Sequence, residues 1–146
     1  MTRLPRRPLL LAVLLLASCE PTATLDTGRI ATDRFTLSLG TPNTGDGGVR
    51  LRITSSLPTV APTDVTPSSQ DAVAFIESVQ AGEVRVAVIG RLTSGTIATL
   101  RFSSRIDPAI AFTATVEEAA SGADFALRSS LSGYSATVTA AAPSGN

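Results

Sequence analysis

The sequence predicts an all-β protein: one antiparallel β-sandwich of about eight or nine short strands, behind an N-terminal signal peptide. Three observations predict it. Apolar residues recur at every second position in one segment after another, which is the pattern of half-buried strands. Clusters of Gly, Pro, Asn, Asp and Ser separate these segments, at the roughly 8–12-residue spacing of sandwiches and barrels. The start of the chain differs in kind, with three arginines followed by an unbroken apolar run.

Arg3, Arg6 and Arg7 form a positive n-region, residues 9–17 are entirely apolar, and small Ala17 and Ser18 precede Cys19. This is the layout of a secretory signal. The run is far shorter than the roughly 20 residues that span a bilayer as a helix. Leu16, Ala17, Ser18 and Cys19 resemble the lipobox of bacterial lipoproteins at all four positions. The resemblance implies that the Cys19 thiol is lipidated, that the signal is cut before it, and that the new amino terminus is acylated. Cys19 is the only cysteine, so no internal disulfide is possible and lipidation accounts for the leftover thiol. Buried acyl chain contributes about 0.8 kcal/mol per CH₂, and more than one chain anchors stably. In Gram-negative lipoproteins Asp after the cysteine marks inner-membrane retention. Glu20 stands there instead, which points to the outer membrane or the cell surface. An ordinary secretory signal with a coincidental cysteine is the alternative.

Four segments follow: a signal peptide over 1–18, the lipidated cysteine and a flexible tether over 19–32, a β domain over 33–140, and a disordered tail over 141–146. Phe35, Leu37 and Leu39 alternate in the first strand; Val49, Leu51 and Ile53 do so in the second, with Arg50 and Arg52 on its other face. The Gly- and Asn-bearing stretch between them reads as a hairpin loop. Asn43 and Asp46 also raise a calcium loop, but two donors fall short of the six to eight oxygens calcium takes. Pro58, Pro62 and Pro67 exclude a central strand over 55–70, leaving a crossing loop with room for an edge strand near Val60.

Residues 71–80 are ambiguous. Ala72, Phe75, Ile76 and Val79 have helical spacing, yet Ala81-Gly82 offers a tight turn into the strand from Val84 to Val88. A hairpin of 72–79 with 83–89 is favoured and a single helix is the alternative. Ala98, Leu100 and Phe102 then share a face, with Ile97, Thr99 and Arg101 on the other. Ile110, Phe112, Ala114 and Val116 alternate next, Phe125 and Leu127 mark a short strand, and Tyr134, Ala136 and Val138 the last. The valine-rich run 84–90, Ser94-Gly95 and the stretch 97–102 resemble the middle of cohesin-like domains. That resemblance, over about 20 residues, implies a nine-stranded jelly-roll sandwich; related sandwiches bind carbohydrate.

Composition narrows the function. Removal of 18 of the 146 residues leaves 128, enough for one domain with its own core. The twelve arginines less the three of the n-region leave nine against twelve acids, a net charge near −3. Without a basic cluster, nucleic acid is not an expected partner. The chain has no His, which removes the triads and zinc sites built on it, and no cofactor is expected. Asp107, Glu117, Glu118 and Asp124 are the candidate carboxylates for a hydrolase. Glu117 and Glu118 are adjacent on a strand end and are expected to point to opposite faces; the two aspartates read as turn residues. Phe35, Phe102, Phe112 and Phe125 read as core, Tyr134 alternates with apolar residues, and Phe75 has no settled frame. The outward faces are expected to carry Thr99, Thr113, Thr115, Thr137, Thr139, Arg85 and Arg101.

The expectation is a lipid-anchored envelope protein, held at the membrane through Cys19, whose domain is a non-enzymatic binding or structural module that contacts protein. Glycan binding ranks below protein contact, and a carboxylate-dependent hydrolase below both.

Overall fold

A computed structural model describes residues 31–107 and 109–142. The signal peptide, the lipobox residues Leu16, Ala17, Ser18 and Cys19, most of the tether and the last four residues lie outside the described residues. Eight strands make up the domain: β1 (Thr32–Gly40), β2 (Asp46–Ser55), β3 (Asp64–Pro67), β4 (Val73–Gln80), β5 (Glu83–Leu92), β6 (Gly95–Ile106), β7 (Phe112–Ser121) and β8 (Ser135–Ala140). Every pairing among them is antiparallel, so the all-β class is correct.

The strands form one sheet in the order β3-β6-β1-β8-β7-β2-β5-β4. Its two outer strands, β3 and β4, come alongside each other, so the sheet curls nearly into a barrel. The opposite seam is thin: β7 and β8 share one residue pair, Ala114 with Ala136. That thin seam divides the one sheet into two four-stranded halves, β3-β6-β1-β8 and β7-β2-β5-β4.

Alternation fills that core as the sequence predicts. Leu37, Leu51, Val86, Val88 and Leu100 are fully buried, and each is an inward position of its strand. Phe35, Phe102 and Phe112 close one pole in a cluster with centroids 5.0–5.4 Å apart, in edge-on or tilted geometries favoured by aromatic quadrupoles. At this pole β1 begins and β8 ends, with Phe35 opposite Ala140. The other pole is where β1 ends and β2 begins.

The ambiguous segment 71–80 is a strand. β4 pairs with β5 from Val73 opposite Ile89 to Gln80 opposite Glu83, and Gly82 supplies the turn with φ 75°. The 55–58 loop braces that turn: the Ser55 N–H donates to Gly82 O at 2.9 Å, and the Gly82 N–H to Pro58 O at 2.8 Å.

Four expectations are corrected. The stretch after β1 is no hairpin loop, because β1 pairs with β6 and β8 whereas β2 pairs with β5 and β7. It is an arch between the halves. Ile97 is buried rather than outward: it is the extra residue of a bulge, with Leu37 opposite Ala98 and Ser38 opposite Thr96. The edge strand of the proline-rich stretch is β3, four residues past Val60 and ending on Pro67. Residues 125–127 form no strand; one bridge joins Leu127 to Ala120.

Candidate functional site

Two places on the domain gather chemistry-bearing residues, and they adjoin at the pole between β1 and β2. The first is a polar latch around Asp46, which is 1% exposed. Arg128 donates to its Oδ1 from Nε at 3.0 Å and from Nη2 at 2.9 Å. Tyr134 donates to Oδ2 at 2.8 Å and Thr41 Oγ1 at 2.5 Å. Asn43 Nδ2 donates to the Tyr134 hydroxyl at 2.7 Å. Burial pushes the Asp46 carboxyl up, but the hydrogen bonds from Thr41, Tyr134 and Arg128 outweigh it and hold the group below the usual carboxylate range. A buried charge needs such partners. Asp46 spends both oxygens on protein donors, so it joins the arch to the 128–134 segment and offers no free ligand to a cation.

The second place is the outer face of β7-β2-β5-β4. Register aligns three rows of outward side chains across it. In the first, Ala120, Gly48, Ile89 and Val73 stand abreast; in the second, Glu118, Arg50, Ala87 and Phe75; the third holds Arg52 and Arg85 side by side. The face therefore grades from apolar at the arch pole to ionic at its middle.

The ionic part depends on a bulge. Arg50 pairs with Glu118 and Leu51 with Val116, leaving Glu117 as the extra residue. A bulge sets two successive residues against one partner. Glu117 and Glu118 therefore share a face, contrary to the expectation that they oppose. Glu117 lies between two guanidinium groups, 3.3 Å from Arg52 Nε and 3.0 Å from Arg85 Nε. Like charges directly opposite on neighbouring strands repel, and the inserted carboxylate offsets this for Arg52 and Arg85. Its hydrogen bond and charge, with Glu83 beyond, raise the Arg85 pKa. Arg50 is shared by Glu77 at 2.9 Å and Glu118 at 3.0 Å.

The apolar part is a groove of about 250 Å³. Its floor is cut low by Gly47, Gly48, Ala87 and Ala120; Phe75 and Ile89 stand on one side, Phe125 and Leu127 on the other. Val73 is 61% exposed, Phe75 42%, Ile89 43%, Phe125 63% and Leu127 66%. Scattered exposed apolar residues are ordinary, but a contiguous group rimmed by charge marks an interaction surface.

Phe125 was expected in the core and stands in solvent. It has φ 56°, inside a tight loop where its N–H donates to Ser121 O at 3.1 Å and the Ser121 N–H to Ala126 O at 2.9 Å. Asp124 Oδ1 accepts from the Ala126 N–H at 3.1 Å. That bond, followed by one from Ser121, lowers the Asp124 pKa. A carboxyl held low is a poor general acid near neutrality. Asp107 accepts from the Ala109 N–H at 2.8 Å in a turn. Thus Glu117 and Glu118 are brought together on one face, each against arginine, while Asp107 and Asp124 cap separate loops. Tyr134 belongs to the latch. Thr113, Thr115, Thr137, Thr139 and Arg101 are exposed as expected, and Thr99 and Arg85 half so.

Sequence reasoning missed Val73, Glu77, Ile89 and Leu127 as surface residues. One signal was present: Ile89 has the parity of Arg85 in its strand, so an isoleucine had to stand on the solvent face.

Compared with protein families, curated proteins and solved structures, the chain matches none.

Proposed function

We propose that the chain is an envelope lipoprotein anchored through Cys19, and that its domain is a non-enzymatic module making protein contact. The supporting observation is the apolar groove edged by Arg50, Glu77 and Glu118. An apolar centre with a polar rim is the anatomy of a protein interface. The acids add weight against catalysis: Asp46 and Asp124 are both held low, and Glu77, Glu117 and Glu118 each face a guanidinium. The anchor reading is supported by the arginines Arg3, Arg6 and Arg7, the apolar run 9–17, and the lipobox-like Leu16–Cys19 with its lone cysteine.

The two four-stranded halves read as the layers of a sandwich, consistent with the cohesin-like resemblance; the support is the lone pair between β7 and β8. Glycan binding is the second reading, supported by the exposed rings of Phe75 and Phe125 on one groove, since sugar faces stack on such rings.

Two assays test the proposal. In detergent phase partitioning the native chain is expected in the detergent phase and Cys19→Ser in the aqueous phase; unchanged partitioning contradicts the anchor. A glycosidase, esterase and peptidase panel on the full chain is expected to show no turnover. Turnover abolished by Asp107→Asn, Asp124→Asn, or Glu77→Gln with Glu118→Gln makes the domain a hydrolase instead.

A further inference from the structure

We infer that the outer-face groove takes an extended polypeptide segment of a partner protein, one that alternates apolar with basic side chains. This rests on the protein-contact reading above and names the chemistry of the contact.

The apolar half follows from the groove's form. The row Ala120, Gly48, Ile89, Val73 carries no polar side chain. Gly47 and Gly48 keep the floor open, and Phe125 and Leu127 rise on the far side. An apolar side chain of a partner set between Phe75 and Phe125 leaves water without displacing any polar group of the domain.

The basic half follows from charge. Glu77 and Glu118 share the single guanidinium of Arg50, so one negative charge is unmatched at the inner end of the groove. At the outer end Asp124 adjoins Phe125 and is exposed. Arg128, the cation that acts on Asp124, is already bound to Asp46. Negative charge thus exceeds positive at the inner end of the slot, while the outer end carries both exposed Asp124 and exposed Arg91, which shares a pocket with Phe125; a segment with Lys or Arg beside an apolar residue complements the inner end.

The same charges speak against other occupants. A two-fold dimer with its axis at the inner end would bring the surplus acids Glu77 and Glu118 against their own copies. A bilayer surface fits poorly as well. The first and last described residues lie at the opposite pole, since Phe35 is opposite Ala140; nine residues of strand put it about 30 Å away. Anionic headgroups would also meet like charge.

The test uses the full chain in phosphatidylcholine nanodiscs, with empty nanodiscs as blank. The probe is a fluorescein-labelled nonapeptide alternating Leu or Phe with Arg, read by anisotropy. Two controls replace every Arg by Glu, or every apolar residue by Ser. The Arg peptide is expected to bind, and both controls to bind about tenfold more weakly or worse. Phe75→Ser with Phe125→Ser is expected to weaken the Arg peptide about tenfold, with unchanged circular dichroism because both rings are exposed; Ile89→Thr, which keeps the strand's β-branching, is expected to weaken it too. Glu77→Gln with Glu118→Gln is expected to cost about threefold for the Arg peptide and to tighten the Glu peptide, whose repulsion it removes. Equal binding of the Arg and Glu peptides, or no binding of the Arg peptide, overturns the inference. Binding that ignores the groove variants overturns it while leaving protein contact standing. Chitohexaose or cellohexaose bound instead, and lost in Phe75→Ser, overturns both. Self-association lost in Phe125→Ser assigns the groove to a second copy and overturns it.

Discussion

Phe125 holds a left-handed backbone, φ 56°, that costs an L-residue about 1–2 kcal/mol. The Ser121–Ala126 hydrogen bonds impose it, and the result is an aromatic ring displayed over Gly47. Phe125→Gly should therefore leave stability unchanged or raise it by up to about 1 kcal/mol, while groove binding weakens. Chemical denaturation beside the peptide assay checks both halves; a loss of stability would mean that the ring packs into the fold. Phe125 and Leu127 could not be placed from sequence, because apolar residues two apart look alike in a strand and in a loop. Asp46 was equally hidden: its partners Arg128 and Tyr134 lie 82 and 88 positions away. Its folded pKa lies below the unfolded value of 3.8. It therefore adds stability above that pH and loses it as pH falls through the lower folded value. Asp46→Asn should cost about 1–3 kcal/mol at neutral pH and flatten the acid limb below about pH 4, as read from unfolding midpoints against pH.

At the scale of elements, the β4-β5 hairpin and the Glu117 bulge shape the face. Gly82 has φ 75°, and a Cβ there would lie 3.2 Å from Pro58 Cα. Gly82→Val should destabilise the domain by more than about 1 kcal/mol in urea unfolding. The hairpin was legible because Ala81-Gly82 joins two runs of matching parity. The bulge was not: strict alternation places Glu117 and Glu118 on opposite faces, and an extra residue in a ladder leaves no local mark. Its role can be measured. Glu117→Gln removes the carboxylate between Arg52 and Arg85 and should lower Tm by a few degrees in dilute buffer. The difference should shrink at about 1 M salt, where the screening length is roughly 3 Å; a salt-independent loss would point to packing instead.

At the scale of the molecule, a phenylalanine cluster fills one pole and the Asp46 latch closes the other, with the groove beside the latch. The inward rows of β1, β2 and β5 could be read from period-two alternation, which depends only on neighbours in sequence. Strand order could not, since pairing joins segments far apart: the arch of residues 41–45 reads like any Gly-rich turn, yet it carries the chain between halves. The groove inherits that limit, because Ala120, Gly48, Ile89 and Val73 form one row only once β7, β2, β5 and β4 are side by side. The central claim is that this face makes a protein contact. A photoreactive benzophenone at position 75 of the full chain in its native envelope tests it most directly, with the same group at exposed position 137 on β8 as control. The account predicts one discrete protein adduct from position 75, absent from position 137 and lost when Phe125→Ser is added. No adduct from position 75, or the same adducts from both positions, would contradict it.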